Sequence, residues 1–275
     1  MKKIVSLLLV LLTALACVGC GGGDDKKSED IMTNEEHESE DDKSQDVMND
    51  EGHESGDDKS EGVMTYEEYA AAALETQVVV ETYVQAKQSW WENKATVYTQ
   101  DKDGAYFVYN MECSEADYEK LTPGTKIKVT GYKKEWSGEI EIMDATFEFG
   151  DGNYVAEAMD VTSLLGTEGL IDHQNKFVSF KGMTVEPAGK DDEGNDVAFL
   201  YNWDGSGQDG DDLYFNVSVN GQTYTFTVES YLCDNTTDVY AAVKNLKIGD
   251  KIDMEGFLYW YEGVNPHITS VTVSQ

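Results

Sequence analysis

Residues 121–138 and 246–263 carry the same pattern twice. Leu121, Gly124, Lys126, Ile127, Gly131 and Gly138 recur as Leu246, Gly249, Lys251, Ile252, Gly256 and Gly263, at a constant offset of 125. Six identities fall in 18 positions, where chance gives about one. An offset of 125 residues is the size of a domain, so the chain is expected to hold two copies of one fold. Any architecture must accommodate a buried Leu, a tight Gly turn and a second Gly at the same place in each copy.

The signals around the repeat run in the same order on both sides. In the first copy, 77–86 is rich in β-branched and aromatic residues. Segments 94–100 and 105–110 alternate around Asp101-Lys102-Asp103-Gly104, a hairpin signature. Ser114 caps a short helix that runs to Lys120, and 126–134 and 139–149 alternate again. In the second copy the strands are 177–186, 213–219 and 224–230, the last two joined by Asn220-Gly221. Thr237 then caps a helix to Asn245, and 251–260 and 267–273 finish the copy.

Three strands, a helix and two strands resemble the OB-fold, a five-stranded Greek-key barrel with its helix between strands three and four. The Leu-x-x-Gly-x-Lys-Ile-x-x-x-Gly element is similar to the helix-to-fourth-strand turn of bacterial OB-type modules. The fold class expected is mainly β: two tandem five-stranded OB-fold-like barrels behind a disordered acidic stalk. The expected boundaries are a signal peptide over 1–19, the stalk over 20–63 and a short helix over 64–75. Barrel 1 follows over 76–150, a linker with a short helix over 151–175, and barrel 2 over 176–275. Thr65 and Glu68 form the sequence signature of a capping box at the start of that first helix.

The N-terminus is basic at Lys2 and Lys3, then mostly apolar from Ile4 to Ala16. That stretch is shorter than the roughly 20 apolar residues of a membrane-crossing helix. With Gly19-Cys20 and a glycine run behind it, the segment resembles a bacterial lipoprotein signal, although Cys17 stands where Leu is usual. The resemblance implies cleavage before Cys20 and lipid on its thiol, hence an exported protein anchored on the outer face of a bacterial membrane. The whole chain is similar to uncharacterised lipoproteins of Gram-positive bacteria with such modules. Residues 24–63 repeat with a period of 16: Asp25-Lys26-Lys27-Ser28 returns as Asp41-Asp42-Lys43-Ser44 and Asp57-Asp58-Lys59-Ser60. Each copy has one apolar pair to bury, so a charged spacer is expected, about 33–39 Å long as a flexible coil. His37 and His53 lie in that spacer without a ligand spacing.

The net charge is −34. Residues 1–20 carry +2, 21–63 carry −13 and 64–275 carry −23. All 20 basic residues are Lys. Arg is the preferred partner of phosphate and guanine, and an acidic surface opposes phosphate, so nucleic acid is not expected as a partner. The densest basic patch, Lys126, Lys128, Lys133 and Lys134, reads as the solvated face of a strand. Cys113 and Cys233 are the two thiols outside the signal, and an exported setting permits a disulfide between them.

Aromatic residues mark the candidate binding end. OB-folds bind through strands two and three and through the loops joining strands 1–2 and 4–5. Trp90 and Trp91 fall in the first such loop of copy one and Trp136 in the second. In copy two, the long insertion 187–212 carries Trp203, and Tyr259, Trp260 and Tyr261 end the fourth strand. Such residues either stack a ligand or fill barrel ends and domain interfaces. A glycan or cell-wall polymer is the favoured ligand, and a structural or protein-interaction role, with the aromatics joining the barrels, is the alternative. Asp204, Asp209 and Asp211 sit in an acidic loop that could cage Ca²⁺, but Asp209 stands where the EF-hand pattern requires Gly.

Catalytic motifs are missing. His173 and His267 are isolated in sequence and read as structural. There is no Gly-x-Ser-x-Gly, no phosphate loop and no metalloprotease motif. A non-enzymatic protein without a cofactor is expected.

Overall fold

The computed structural model describes residues 62–274. The expected signal over 1–19, Cys20 and nearly all of the spacer lie outside them. Thr65 caps α1 (Tyr66–Ala71), and both halves of the capping box form. The Thr65 hydroxyl accepts from the Glu68 N–H at 3.1 Å, and the Glu68 carboxylate accepts from the Thr65 N–H at 2.8 Å. Lys133 closes the other end of α1, donating to the carbonyls of Tyr69, Ala70 and Ala72 at 2.8–3.0 Å. Lys133 is therefore buried, and the expectation of a solvated basic face is corrected there. Unpaired terminal carbonyls draw the ammonium inward. Lys134 pairs with Asp144 and Lys126 with Glu81, so the patch offers little free positive charge.

Barrel 1 comprises β1 (Gln77–Lys87), β2 (Lys94–Gln100), β3 (Ala105–Glu112), α2 (Glu115–Tyr118), β4 (Thr125–Trp136) and β5 (Glu139–Asn153). The strands close in the order β1-β2-β3-β5-β4, with β3 and β5 parallel. Alternate residues of β1 and β4 point inward, and Val78, Val80, Val97, Val108, Ile127 and Val129 fill the interior. Helix α1 packs on this barrel: the Tyr66 and Tyr69 rings meet Tyr106 edge-on at 5.6 and 4.8 Å.

A strand β6 (Met159–Asp160) and two 3-10 turns, Thr162–Leu164 and Glu168–His173, connect the barrels. The turn at Thr162 takes the place of the expected linker helix. Barrel 2 begins with β7 (Phe177–Glu186). The expected insertion holds a small hairpin of β8 (Gly189–Lys190) and β9 (Asp196–Val197), then β10 (Phe199–Tyr201). The barrel continues with β11 (Leu213–Val219), β12 (Gln222–Val228), α3 (Asp238–Lys244), β13 (Lys251–Phe257) and β14 (His267–Ser274). Pairing of β11 with β7 closes it, while β6 and β10 extend it at two margins. Its interior is more aromatic: Phe180, Phe215 and Phe226 pack with Val185, Ile252 and Ile268.

Strand β2 departs from one-sided alternation, because five of its seven residues are buried in succession. Tyr98, on its outer side, meets Phe107 and Phe257 in a third buried cluster where the barrels join. Cys113 and Cys233 are each free and buried, in the cores of barrel 1 and barrel 2 respectively. The disulfide allowed by the sequence does not form. Burial pushes both thiols up, to about 11 and about 12.

The repeated motif now has a physical account. Leu121 and Leu246 seat the helix end in each core, and Ile127 and Ile252 are fully buried. Gly124 and Gly249 adopt positive φ, 91° and 93°, at the turn into the fourth strand. Gly131 and Gly256 lie at register shifts between strands four and five. A Cβ on Gly131 would come within 2.8 Å of the Met143 carbonyl oxygen, and one on Gly256 within 2.2 Å of the His267 carbonyl oxygen. The fourth strand thus presses its backbone onto the fifth at the same point in both copies. Gly256→Ala is expected to destabilise the fold by about 2 kcal/mol or more, read as the shift in the urea midpoint. A shift below about 0.5 kcal/mol, the range of an indifferent surface site, would contradict this account.

Candidate functional site

The two barrels meet along several strand ends, and hydrogen bonds fix them. The Tyr98 hydroxyl lies 2.6 Å from His267 Nδ1, and Gln88 Nε2 donates to the same hydroxyl oxygen at 3.3 Å. Only by donating to Nδ1 does the Tyr98 proton find a partner, which puts the His267 proton on Nε2. Complete burial holds the His267 pKa down to about 3, so the ring is neutral. Its face stacks on Tyr259, centroids 4.2 Å apart. Gln88 also donates to Glu229 at 3.1 Å, the Ser89 N–H donates to the Tyr231 carbonyl at 2.8 Å, and the Phe177 N–H donates to Gln100 at 2.7 Å.

Above this junction lies an open cleft of about 1190 Å³ bordered by both barrels. Gln88, Thr96, Phe107, Tyr109 and Asn110 form the barrel 1 side of its floor. Tyr214, Thr225, Glu229, Tyr259, Asn265 and His267 form the barrel 2 side. Its rim is aromatic: Trp91 and Trp136 from barrel 1, Trp203, Tyr231 and Tyr261 from barrel 2. Trp91, Trp136, Trp203 and Tyr231 are 60–76% exposed, so these rings do not fill a barrel end.

Short turns hold several of these rings outward. Trp91 and Lys94 exchange both backbone hydrogen bonds around Glu92 and Asn93, whose φ angles are 45° and 60°. Trp136 precedes Ser137 and Gly138, at 51° and 94°. Tyr261 precedes Glu262 and Gly263, at 53° and 144°. Two-residue left-handed turns of this kind match strand twist and leave little freedom. Trp203 follows Asn202, also left-handed, in the loop after β10, where the Asn202 N–H donates to the Asp212 carbonyl at 2.9 Å.

The sequence-predicted residues therefore divide. Trp91, Trp136, Trp203, Tyr259 and Tyr261 converge on the cleft. Trp90 does not: it is half-buried, and its indole N–H donates to the Cys113 carbonyl at 3.0 Å. Trp260 does not either; it packs on the barrel 2 core, over Gly138. Asp204, Asp209 and Asp211 form no metal site. Asp209 pairs with Lys244 and accepts from Asn235, Asp211 accepts from the Gln208 N–H, and Asp204 accepts from the Ser206 N–H. Among the described residues, no group of three or more His, Cys, Asp or Glu is placed to hold a metal ion. Sequence reasoning missed Tyr109, Tyr214, Tyr231, Glu229 and the cleft position of His267. An aromatic residue followed by a two-residue turn, as in Trp136-Ser137-Gly138, was the signal for the rim; nothing local marks the floor.

Two carboxyl groups withdrawn from solvent, Glu229 partly and Glu139 fully, shape the electrostatics. Burial raises Glu229 to about 7, with Asp212 nearby adding to the shift and the N–H groups of Tyr231 and Leu232 opposing it. Glu139, fully buried behind the Trp136 turn, is raised by burial to about 9. One of its oxygens accepts from the Trp260 N–H at 2.9 Å and from Gln174 at 3.1 Å. Its other oxygen and Asn175 Oδ1 both lack partners. With its pKa raised this far, the Glu139 carboxyl is neutral at pH 7. This neutral carboxyl ties the Trp136 turn to the segment beyond β13 that carries Trp260 and Tyr261.

No protein-family model and no curated protein matches the chain. Similar solved structures include a murine DNA-binding protein bound with double-stranded DNA, at TM-score 0.35 and 11% identity, covering 72% of this chain and 96% of that one. The Ifi202 HINa domain in complex with 20-bp double-stranded DNA is similar at 0.31 and 13%, covering 73% and 96%. The p204 HINb domain is similar at 0.32 and 12%, covering 70% and 95%. Two expectations are corrected beside the two of these structures that hold DNA: a glycan or cell-wall polymer as favoured ligand, with a structural envelope role as its alternative, and the exclusion of nucleic acid. Exposed indoles stack sugar rings and nucleobases alike. The overall charge of the chain does not fix the chemistry of a cleft lined mainly by neutral rings and amides.

The folded chain releases the Glu139 proton only near pH 9, whereas the unfolded chain releases it near 4.5. Stability contributed by this group is therefore complete below about pH 4.5 and declines as pH rises towards 9. Glu139→Gln should be more stable than the parent at pH 8 by on the order of 1–2 kcal/mol, with the gap closing near pH 4. Urea unfolding at both pH values measures this; a gap independent of pH would refute a neutral Glu139.

Proposed function

We propose that the folded region is a non-catalytic binding module that takes a ring-bearing or otherwise flat-faced ligand into the cleft between its barrels. The observation that carries this reading is the convergence of Trp91, Trp136, Trp203 and Tyr231, all well exposed, on one cleft from both barrels. Solvent-exposed aromatic surface of this extent is costly to keep unless it is used. The turns that carry three of the rim rings cannot easily fold them away, so the stacking surface is preorganised and binding loses little chain entropy. The floor adds amide groups of Asn110 and Asn265, able to orient a ligand through hydrogen bonds.

The setting that fits this module is the outer face of a bacterial membrane, with Cys20 lipidated and the acidic spacer between. Incorporation of labelled palmitate during bacterial expression should occur in the parent and disappear in Cys20→Ala. Equal labelling of the two would remove Cys20 as the anchor.

Tryptophan fluorescence tests the cleft itself. Nucleosides, single-stranded and double-stranded DNA oligonucleotides and small aromatic amines serve as probes. At least one class should shift the emission, and Trp136→Ala and Trp203→Ala should each weaken that response by about tenfold, the size of one good stacking contact. A DNA probe held by stacking would keep much of its affinity as salt rises, whereas phosphate contacts would lose it steeply. Silence across all probes, or binding indifferent to both substitutions, overturns the reading.

A further inference from the structure

We infer that the ligand presents an organic cation, an alkylammonium or quaternary ammonium group, to the rings of this cleft; the inference rests on the binding reading above. A cation is drawn to the negative face of an aromatic ring, most strongly to indole, and several rings around one space form a cage for it. The charged side chains of the lining reinforce this. Glu262 is an exposed carboxylate, Glu229 is about half ionised at neutral pH, and among the described residues Lys94 is the one ammonium in the lining. Lys94 lies directly across the strand pair from Glu112. His267 adds no positive charge, because its Nδ1 accepts from Tyr98 and its ring is neutral.

Position matters as much as sign. Glu229 sits at the floor, beside Gln88, and Asp212 neighbours it. Glu262 sits on the rim between Tyr261 and Gly263, exposed to solvent. A cation entering the cleft meets indole and phenol faces and Glu262 at the rim, and at the floor Glu229, whose ionised form it stabilises. The folded region as a whole carries −23, so its long-range field also favours arrival of a cation. An anion of equal size meets the same rings with the opposite balance of charge. Strongly hydrated metal ions are not favoured by the rings, and no cluster of oxygen ligands gathers for them among the described residues.

Choline and 3,3-dimethyl-1-butanol, which share a shape but differ in charge, separate the cation inference from the stacking cleft beneath it. With the full chain and tryptophan fluorescence as readout, choline should bind at least about tenfold more tightly than the alcohol. Glu262→Gln, at an exposed site, should weaken choline a few-fold and leave the alcohol unchanged. Trp203→Ala should weaken both. Equal binding of the two compounds overturns the cation inference while leaving the stacking cleft in place. Binding of nucleosides or DNA without any binding of choline overturns it in the same way. Failure of every probe, charged or neutral, removes the cleft as a binding site altogether.

Discussion

The buried contact of Tyr98 with Phe107, Phe257 and His267 is what the candidate site depends on. Each barrel closes on its own core, but neither alone forms a cleft. Tyr98 stands on the outer side of β2, where an isolated barrel would leave it in water. Phe257 stacks on it at 4.5 Å, and the His267 ring accepts its proton. A neutral imidazole is required, since a charged one would neither accept that proton nor tolerate complete burial. Gln88 then links this pair to Glu229, so a single run of side chains sets the relation of the barrels and the floor of the cleft.

A second constraint is backbone geometry at the rim. Large exposed aromatic side chains on mobile loops would collapse onto one another or onto the nearest apolar surface. Here Trp91, Trp136 and Tyr261 each precede a left-handed residue pair that reverses the chain immediately. Trp136 and Tyr261 stand at equivalent positions of the duplication, 125 residues apart: Trp136 ends β4, and Tyr261 follows the end of β13 by four residues. The neutral Glu139 behind them joins the two segments, so the duplicated turns face a common space. Trp203 reaches the same space from the inserted loop of barrel 2, which has no counterpart in barrel 1.

Much of this was legible in the sequence, and what was not has definite causes. The strand order, the capping box at Thr65 and the repeated Gly positions are local or pairwise features, written in alternation and turn chemistry. Lys133 misled because its partners, the carbonyls at the end of α1, lie 61–64 residues away. Trp90 and Trp260 are adjacent in sequence to rim residues yet sit in packed surroundings, Trp90 bonded to the Cys113 carbonyl and Trp260 against the barrel 2 core. Glu229 and His267 are single polar residues whose role exists only once two barrels meet. The acidic loop with Asp204, Asp209 and Asp211 looked like a cation site because sequence shows the carboxylates and not Lys244, which takes one of them.

The sequence by itself determined two copies of a five-stranded barrel, the points where each backbone must approach closely, and the aromatic richness of one end. Those follow from short-range rules: side-chain period, capping and the absence of a Cβ. The tertiary structure alone decided that the barrels share a buried aromatic junction, that their thiols stay apart, and which rings remain in solvent around one cleft. The physical reason is that burial is a property of surfaces in contact, and no residue carries in its own neighbourhood the identity of the surface it will meet.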